Sequence, residues 1–312
     1  ILIIGFVLLI KGADLLVDGA SALARKYNIS DLAIGLTIVA FGTSAPELVV
    51  NSFASYHHHH DIVFGNIIGS NNFNLFIILG LAGLISPLVV QSSTVWKEIP
   101  LSLAAVIILF VMTNDFFAGH DNLLSRLDGG ILLVFFALFL YYVYKQLRVD
   151  KSAEEKHKTD LTIIKISVYI ILGLAGLVIG GRMIVNSSVT IATILGVSEK
   201  IIGLTIVAAG TSLPELATSV VAAIKKNNDI AVGNIIGSNI FNIFFILGVS
   251  SLIQPVRYNT GFNTDMFILA AGTIILFIAM FTGKKKKLDR WEAFFLFLIY
   301  SGYTYYLVQL EI

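Results

Sequence analysis

DIVFGNIIGSNNFNLFIILGLAGLISP at residues 61–87 returns as DIAVGNIIGSNIFNIFFILGVSSLIQP at 229–255, identical at 18 of 27 positions without a gap. A second phrase repeats at the same shift of 168 residues, GLTIVAFGTSAPEL at 35–48 and GLTIVAAGTSLPEL at 203–216. Two matches in one register mean that the chain is an internal duplication. All four stretches are long and apolar, and each copy of the second carries a Pro-Glu pair, Pro46-Glu47 and Pro214-Glu215.

The composition sets where such stretches reside. Of 312 residues 56% are hydrophobic and 13% charged, with mean hydropathy +0.87, whereas soluble domains carry about 25% charged residues. A multi-pass α-helical membrane protein follows, because the apolar runs are too continuous for the alternating ten-residue segments of a β-barrel. With about 20 residues needed per span, ten spans are predicted: 1–24, 31–56, 62–86, 98–114, 128–147, 162–186, 199–224, 230–254, 265–282 and 291–310. The first is counted as a span rather than a signal peptide, since no basic region precedes it and no small-residue cleavage site follows.

RVDKSAEEKHKTD at 148–160 is the sizeable polar stretch and divides the chain into 1–147 and 161–312, five spans each. Equivalent points lie an odd number of spans apart, so the two copies enter the membrane in opposite directions, with helices broken at the midplane. Such inverted repeats build many secondary transporters. With the N-terminus outside, sixteen Lys and Arg face inward and only Arg126, Arg182, Lys200 and Arg257 face outward. The positive-inside rule therefore puts both termini outside the cell membrane and the 148–160 linker in the cytoplasm.

Glu47 and Glu215 are the principal candidates for function, because a carboxylate in hydrocarbon costs roughly 3 kcal/mol or more and is retained where it meets a cation, a proton path or water. Pro46 and Pro214 break their helices around Gly42-Thr43-Ser44 and Gly210-Thr211-Ser212, freeing carbonyls that an ion can satisfy. The next span of each copy adds Asn66, Ser70, Asn71 and Asn74, or Asn234, Ser238, Asn239 and Asn242, with Ser70 and Asn74, and likewise Ser238 and Asn242, on one helix face. Oxygen donors without His or Cys suit hard cations such as Ca²⁺ and Na⁺. Two carboxylates about 4 Å apart repel by roughly 4 kcal/mol at an effective dielectric of 20. One divalent ion, two monovalent ions or two protons relieve that repulsion, and competition among them is a basis for exchange.

The paired GTS-x-PEL phrases, each followed by GNIIGSN-x-FN, resemble the α-repeats of the sodium/calcium exchanger branch of the cation/calcium exchanger superfamily, prokaryotic type. The resemblance implies ten helices in two inverted five-helix units, the second, third, seventh and eighth spans around the ions and the first and sixth sliding during alternating access. By motif position, Glu47 and Glu215 are the implied calcium carboxylates. Thr43 and Thr211 are implied to supply backbone and hydroxyl oxygens, Ser44, Ser70, Ser212 and Ser238 flanking sodium sites, and Ala40 and Ala208 carbonyls at the breaks. Some family members carry aspartate at the position of Asn74 or Asn242; both are asparagine here, which leaves two formal negative charges rather than three.

The expected function is exchange of Ca²⁺ for Na⁺, with H⁺/Ca²⁺ or K⁺-dependent Na⁺/Ca²⁺ antiport as alternatives and a cation channel disfavoured. Ca²⁺ and Na⁺ are the transported ions, the lipid bilayer is the partner, no covalent cofactor is implied, and a monomer is the expected state. An enzyme is excluded on the motifs: no histidine lies in a predicted span, and neither HExxH nor GxSxG occurs. The absence of cysteine removes disulfides and thiolate sites, and a net charge of +1 gives no hint of nucleic acid. The bland reading of the glutamates is pairing with Lys11 or Arg182. Asp14 and Asp18 read as packing or mouth residues, because their equivalents are Arg182 and Asn186. The tract His57-His58-His59-His60 reads as a flexible outer loop or an engineered insertion in preference to a metal site.

Overall fold

A computed structural model describes residues 1–114, 122–146, 161–194, 208–283 and 286–311. The helices are α1 (Leu2–Tyr27), α2 (Asp31–Thr43), α3 (Ala45–Tyr56), α4 (His60–Ile85), α5 (Thr94–Thr113), α6 (Arg126–Gln146), α7 (Ile163–Ile194), α8 (Leu213–Ile224), α9 (Asn228–Ile253), α10 (Thr260–Ala279) and α11 (Arg290–Glu311). Among the described residues six helices are long and apolar enough to cross a membrane, or seven if α2 and α3, bent by 48°, make one span. The protein is an all-helical, multi-pass membrane protein.

The sequence explains the bend. Pro46 occupies the first turn of α3, where its missing N–H would be unbonded anyway; one turn further into a continuous helix it would remove the donor to the Gly42 carbonyl. The ladder therefore stops at Thr43, Ser44 takes φ −82° and ψ 6°, and a new helix starts. The second copy repeats this: a short turn Ala208–Gly210, then Ser212 at φ −87° and ψ 7°, then α8 with Pro214 in its first turn. The expected span 199–224 is described from 208 onward, and the 148–160 linker lies outside the described residues. The expected fourth span, 98–114, begins four residues earlier, because Thr94–Glu98 forms a π-turn continuous with the helix. The sixth runs on to Ile194, beyond its expected end at 186.

Helix pairing joins the two copies. α1 packs along α7, α2 against α9, α4 against α11, α6 against α9 and α5 against α10. The α1–α7 contact is backbone to backbone. A Cβ on Gly12 would stand 2.7 Å from the Leu177 nitrogen, and one on Gly180 would stand 2.7 Å from the Gly5 carbonyl oxygen, so the small residues permit an approach that any side chain would forbid. Gly237, Gly80 and Gly248 serve the same end, since a Cβ on each would stand within 3.2 Å of a neighbouring backbone oxygen, whereas a Cβ on Gly69 would meet nothing within 4 Å among the described residues. Two short antiparallel ribbons clasp the loops of the two copies. β1 (Leu88–Val89) pairs with β4 (Lys287–Leu288) through Leu88↔Leu288, and β2 (Leu123–Leu124) pairs with β3 (Val256–Arg257) through Leu124↔Val256.

α4 and α9 form the centre. In α9, 94% of the apolar window is buried, against 22% in α6 and α7. A helix enclosed on all sides has no lipid-facing stripe, so its polar residues are held by protein. That enclosure is what places Asn66 to Asn74 and Asn234 to Asn242 in the interior.

Candidate functional site

The two Pro-Glu breaks meet α4 and α9 at the core. Glu47 and Glu215 each fall in the first turn of their helix, at the positive end of the helix dipole, and each is 1% exposed. Ser44, in the gap before α3, donates to Glu215 Oε1 at 2.9 Å, and its oxygen lies 3.0 Å from Ser238 Oγ. The counterpart is Ser212, which donates to Glu47 Oε1 at 3.3 Å. Each carboxylate is thus held by the helix break of the other copy. Among the described residues neither glutamate forms an ion pair, so the pairing with Lys11 or Arg182 is not what holds them.

The asparagines cross in the same way. Asn74 Nδ2 donates to Asn239 Oδ1 at 3.0 Å and Asn242 Nδ2 donates to Asn71 Oδ1 at 2.9 Å. Asn71 and Asn239 also donate to each other's backbone carbonyl, at 3.2 and 3.3 Å. Fixing Nδ2 fixes the amide plane, which turns Oδ1 of Asn74 and Asn242 away from these bonds. Both residues sit in π-turns, Phe73–Ile78 and Phe241–Ile246, an irregularity frequent at functional sites because it disturbs the regular carbonyl ladder.

Glu47 Oε2, Glu215 Oε2, Asn74 Oδ1, Asn242 Oδ1 and Ser70 Oγ are buried without a hydrogen-bond partner among the described residues. Buried polar atoms are normally satisfied. Five orphaned atoms on four helical segments, all oxygen and two of them carboxylate, have the donor chemistry that suits a hard cation. No group of three or more His, Cys, Asp or Glu capable of holding a metal occurs among the described residues, so the set departs from the acid-rich or histidine-rich type.

The remaining expected ligands are already partly engaged. Thr43 Oγ1 donates toward Asn234 Oδ1 at 3.0 Å and lies 3.3 Å from the Ala40 carbonyl, which also accepts Ser44 N–H at 3.0 Å. Thr211 Oγ1 donates to Asn66 Oδ1 at 3.3 Å. Ala208 opens the short turn before Thr211, where only its backbone is described.

Asn51 and Ser219, which support the expected Asn66 and Asn234, were not among the expected residues. Asn66 donates to Asn51 Oδ1 at 2.7 Å, and Asn51 donates to the Val63 carbonyl at 3.0 Å. In the other copy Asn234 donates to Ser219 Oγ at 2.9 Å, and Ser219 donates to the Ala231 carbonyl at 3.4 Å. Asn51 and Ser219 lie four residues after the glutamates, on the same helix face. That spacing was the available signal.

Asp14 and Asp18 lie apart from the cluster. Both face Lys225 at 2.6 Å, which ties α1 to the end of α8. Burial works against the ammonium charge, but the bonds to the two carboxylates outweigh it and hold Lys225 above its usual range. His57 to His60 bridge α3 and α4, with His58 at φ 62° in a tight turn.

The sodium/calcium exchanger protein family model matches residues 1–145 and 165–309. The inner membrane protein YrbG of Escherichia coli is 39% identical over 288 residues, covering 88% of this chain and 86% of that protein. The sodium/calcium exchanger MaX1 of Methanosarcina acetivorans is 32% identical over 340 residues, 97% of this chain and 96% of its own length. A solved structure of the sodium-calcium exchanger NCX_Mj superposes with a TM-score of 0.82 at 35% identity, over 96% of this chain and 94% of that one. A duplicated Pro-Glu break, a core of crossed asparagines and a match along nearly the whole chain converge, and the chain belongs to the sodium/calcium exchanger protein family.

Proposed function

We propose that the protein is a ten-span antiporter, built from inverted halves 1–147 and 161–312, that exchanges Ca²⁺ for Na⁺ by alternating access. The observation that carries this reading is the pair of buried glutamates, each anchored through Oε1 by the opposite helix break while Oε2 has no hydrogen-bond partner among the described residues. Anchoring one oxygen orients the other toward a shared ion. Glu47 and Glu215 supply the charge, Asn74 and Asn242 the amide oxygens, and Ser44, Ser70, Ser212 and Ser238 the hydroxyls of adjoining sodium sites. Thr43 and Thr211, with Ala40 and Ala208, contribute backbone oxygens at the breaks.

The charge count gives the mechanism. Two carboxylates are neutralised by one Ca²⁺ or by two Na⁺, so the two loads compete and neither leaves much net charge in the protein interior. An empty, doubly ionised cluster is the costly state, which disfavours a transition without cargo and so favours exchange over leak. The glycine-faced α1–α7 pair is the element suited to move as one body against the cluster, since its internal contact is backbone to backbone. Support for the inverted arrangement comes from the reciprocal bonds between residues 165 to 171 apart in sequence.

In proteoliposomes at clamped pH, an inwardly directed Ca²⁺ flux driven by an opposing Na⁺ gradient is the expected result. Flux driven by a pH gradient and indifferent to Na⁺ would replace Na⁺ by H⁺ as the counter-ion. Flux that fails to saturate and needs no counter-ion would replace the carrier by a channel.

A further inference from the structure

Glu98, in the π-turn that opens α5, is fully buried, and Thr94, one turn before it, is 1% exposed. Glu98 Oε1 accepts the phenol hydrogen of Tyr142 from α6, and Gln146 donates to that same phenol oxygen. The other side of the carboxylate is less well served: Glu98 Oε2 and Thr94 Oγ1 are both buried and, beyond the Thr94 hydroxyl acting on Glu98, have no hydrogen-bond partner among the described residues. Lys97 sets its ammonium over the Tyr142 ring, 5.6 Å from the centroid, and forms no ion pair with Glu98 among the described residues. The titratable or charged groups acting on Glu98 are Tyr142 from α6 and Lys97 from its own helix. Of the four π-turns among the described residues, three lie in the helices that build the glutamate cluster and the fourth is Thr94–Glu98.

A buried carboxylate whose second oxygen has only the Thr94 hydroxyl beside it is under-compensated, and positive charge at that oxygen relieves the cost. Its single formal charge matches a single unit of positive charge, and a divalent ion would leave an excess beside Lys97. Oxygen-only donors exclude soft metals. We propose that Glu98 Oε2 and Thr94 Oγ1 form a second cation site, distinct from the glutamate cluster, that takes one monovalent cation, H⁺ or Na⁺. Trp96 lies in the same π-turn and packs on Phe277 and Phe281 next to the end of α10, at centroid distances of 5.8 and 5.2 Å. Loading of Glu98 is therefore felt at the contact between α5 and α10.

Trp96 is one of two tryptophans, so Trp291→Phe makes it the sole reporter. The test uses the full chain in lipid nanodiscs with Trp291→Phe, Glu47→Gln and Glu215→Gln, which silences the central cluster and separates this site from the proposed transport function. Na⁺ is titrated against choline at fixed pH, and pH is then titrated in choline alone. The expected result is a saturable Trp96 response that Glu98→Gln abolishes and whose midpoint Thr94→Ala shifts about tenfold, the loss of one hydroxyl bond to a charged group. A response to Na⁺ identifies sodium as the cation, and a response to pH alone identifies the proton. Silence in both titrations, or a response that survives Glu98→Gln, overturns the proposal. Glu98→Gln keeps the side-chain shape, and its melting temperature checks folding. If the triple background does not fold, the same titrations on Trp291→Phe alone, with and without Glu98→Gln, give the same readout.

Discussion

Replacing Glu47 by glutamine is expected to move transport and stability in opposite directions. The amide keeps the carboxylate's shape, and its oxygen still accepts from Ser212, which stands 3.3 Å from Oε1; what disappears is one negative charge at a position 1% exposed. At an effective dielectric of 20, unit charges 4 Å apart interact by about 4 kcal/mol, so a divalent ion loses about 8 kcal/mol of attraction. Even with half of that offset by hydration of the ion, about 4 kcal/mol remains, a thousandfold loss of affinity. Na⁺ loses half as much, so selectivity shifts toward the monovalent ion. Without Ca²⁺ the sign reverses, because the variant no longer buries two carboxylates whose Oε2 atoms have no hydrogen-bond partner among the described residues. The assay is Na⁺-gradient-driven ⁴⁵Ca²⁺ uptake in proteoliposomes, paired with thermal melting in Ca²⁺-free buffer. Uptake within tenfold of the parent, or a lower Ca²⁺-free melting temperature, refutes the charge argument.

Asn242→Asp adds a third carboxylate to the cluster and is expected to change the Na⁺ and H⁺ dependence of Ca²⁺ flux more than Ca²⁺ recognition itself; identical dependences in the two proteins remove Asn242 from the site. Asn71→Ala deletes the acceptor that orients Asn242 at 2.9 Å and should raise the Ca²⁺ concentration for half-maximal flux about tenfold, with the unaltered parent as reference. Lys225→Met leaves Asp14 and Asp18 without their shared cation and should lower the melting temperature at pH 7 by about 2–4 °C. Because the Lys225 pKa is raised in the folded state, that contribution is present below the unfolded lysine pKa and is lost only as pH rises through the higher folded value, so the difference between the two proteins should vanish in strong alkali and persist at pH 5. A membrane-impermeant label near His58 should react in intact cells while one near Ser152 stays protected; the reverse pattern inverts the orientation but leaves the cluster intact.

The helical spans, the duplication and the two glutamates were all legible in the one-dimensional pattern, and for a physical reason. A bilayer demands about 20 apolar residues per helix, a proline removes a donor wherever it stands, and a charge in hydrocarbon is costly in any fold. These constraints are local, so they are written into consecutive residues such as GTSAPEL and GTSLPEL. The reciprocity of the site is not local. That Ser44 serves Glu215 rather than its near neighbour Glu47, that Asn71 orients Asn242, and that Asn51 and Ser219 stand behind the cluster depend on how α3, α4, α8 and α9 pack, and partners 165 to 171 residues apart leave no mark in spacing. The same holds for Glu98. It is the first residue of the expected span 98–114, and nothing in that position signals burial, yet packing of α6 carries Tyr142 over it and buries it completely. Hydropathy assigned each residue to membrane or water, while only the tertiary structure decided which polar atoms inside the membrane are satisfied by protein and which are left without a partner among the described residues, because that depends on distances between helices rather than on the character of any one of them.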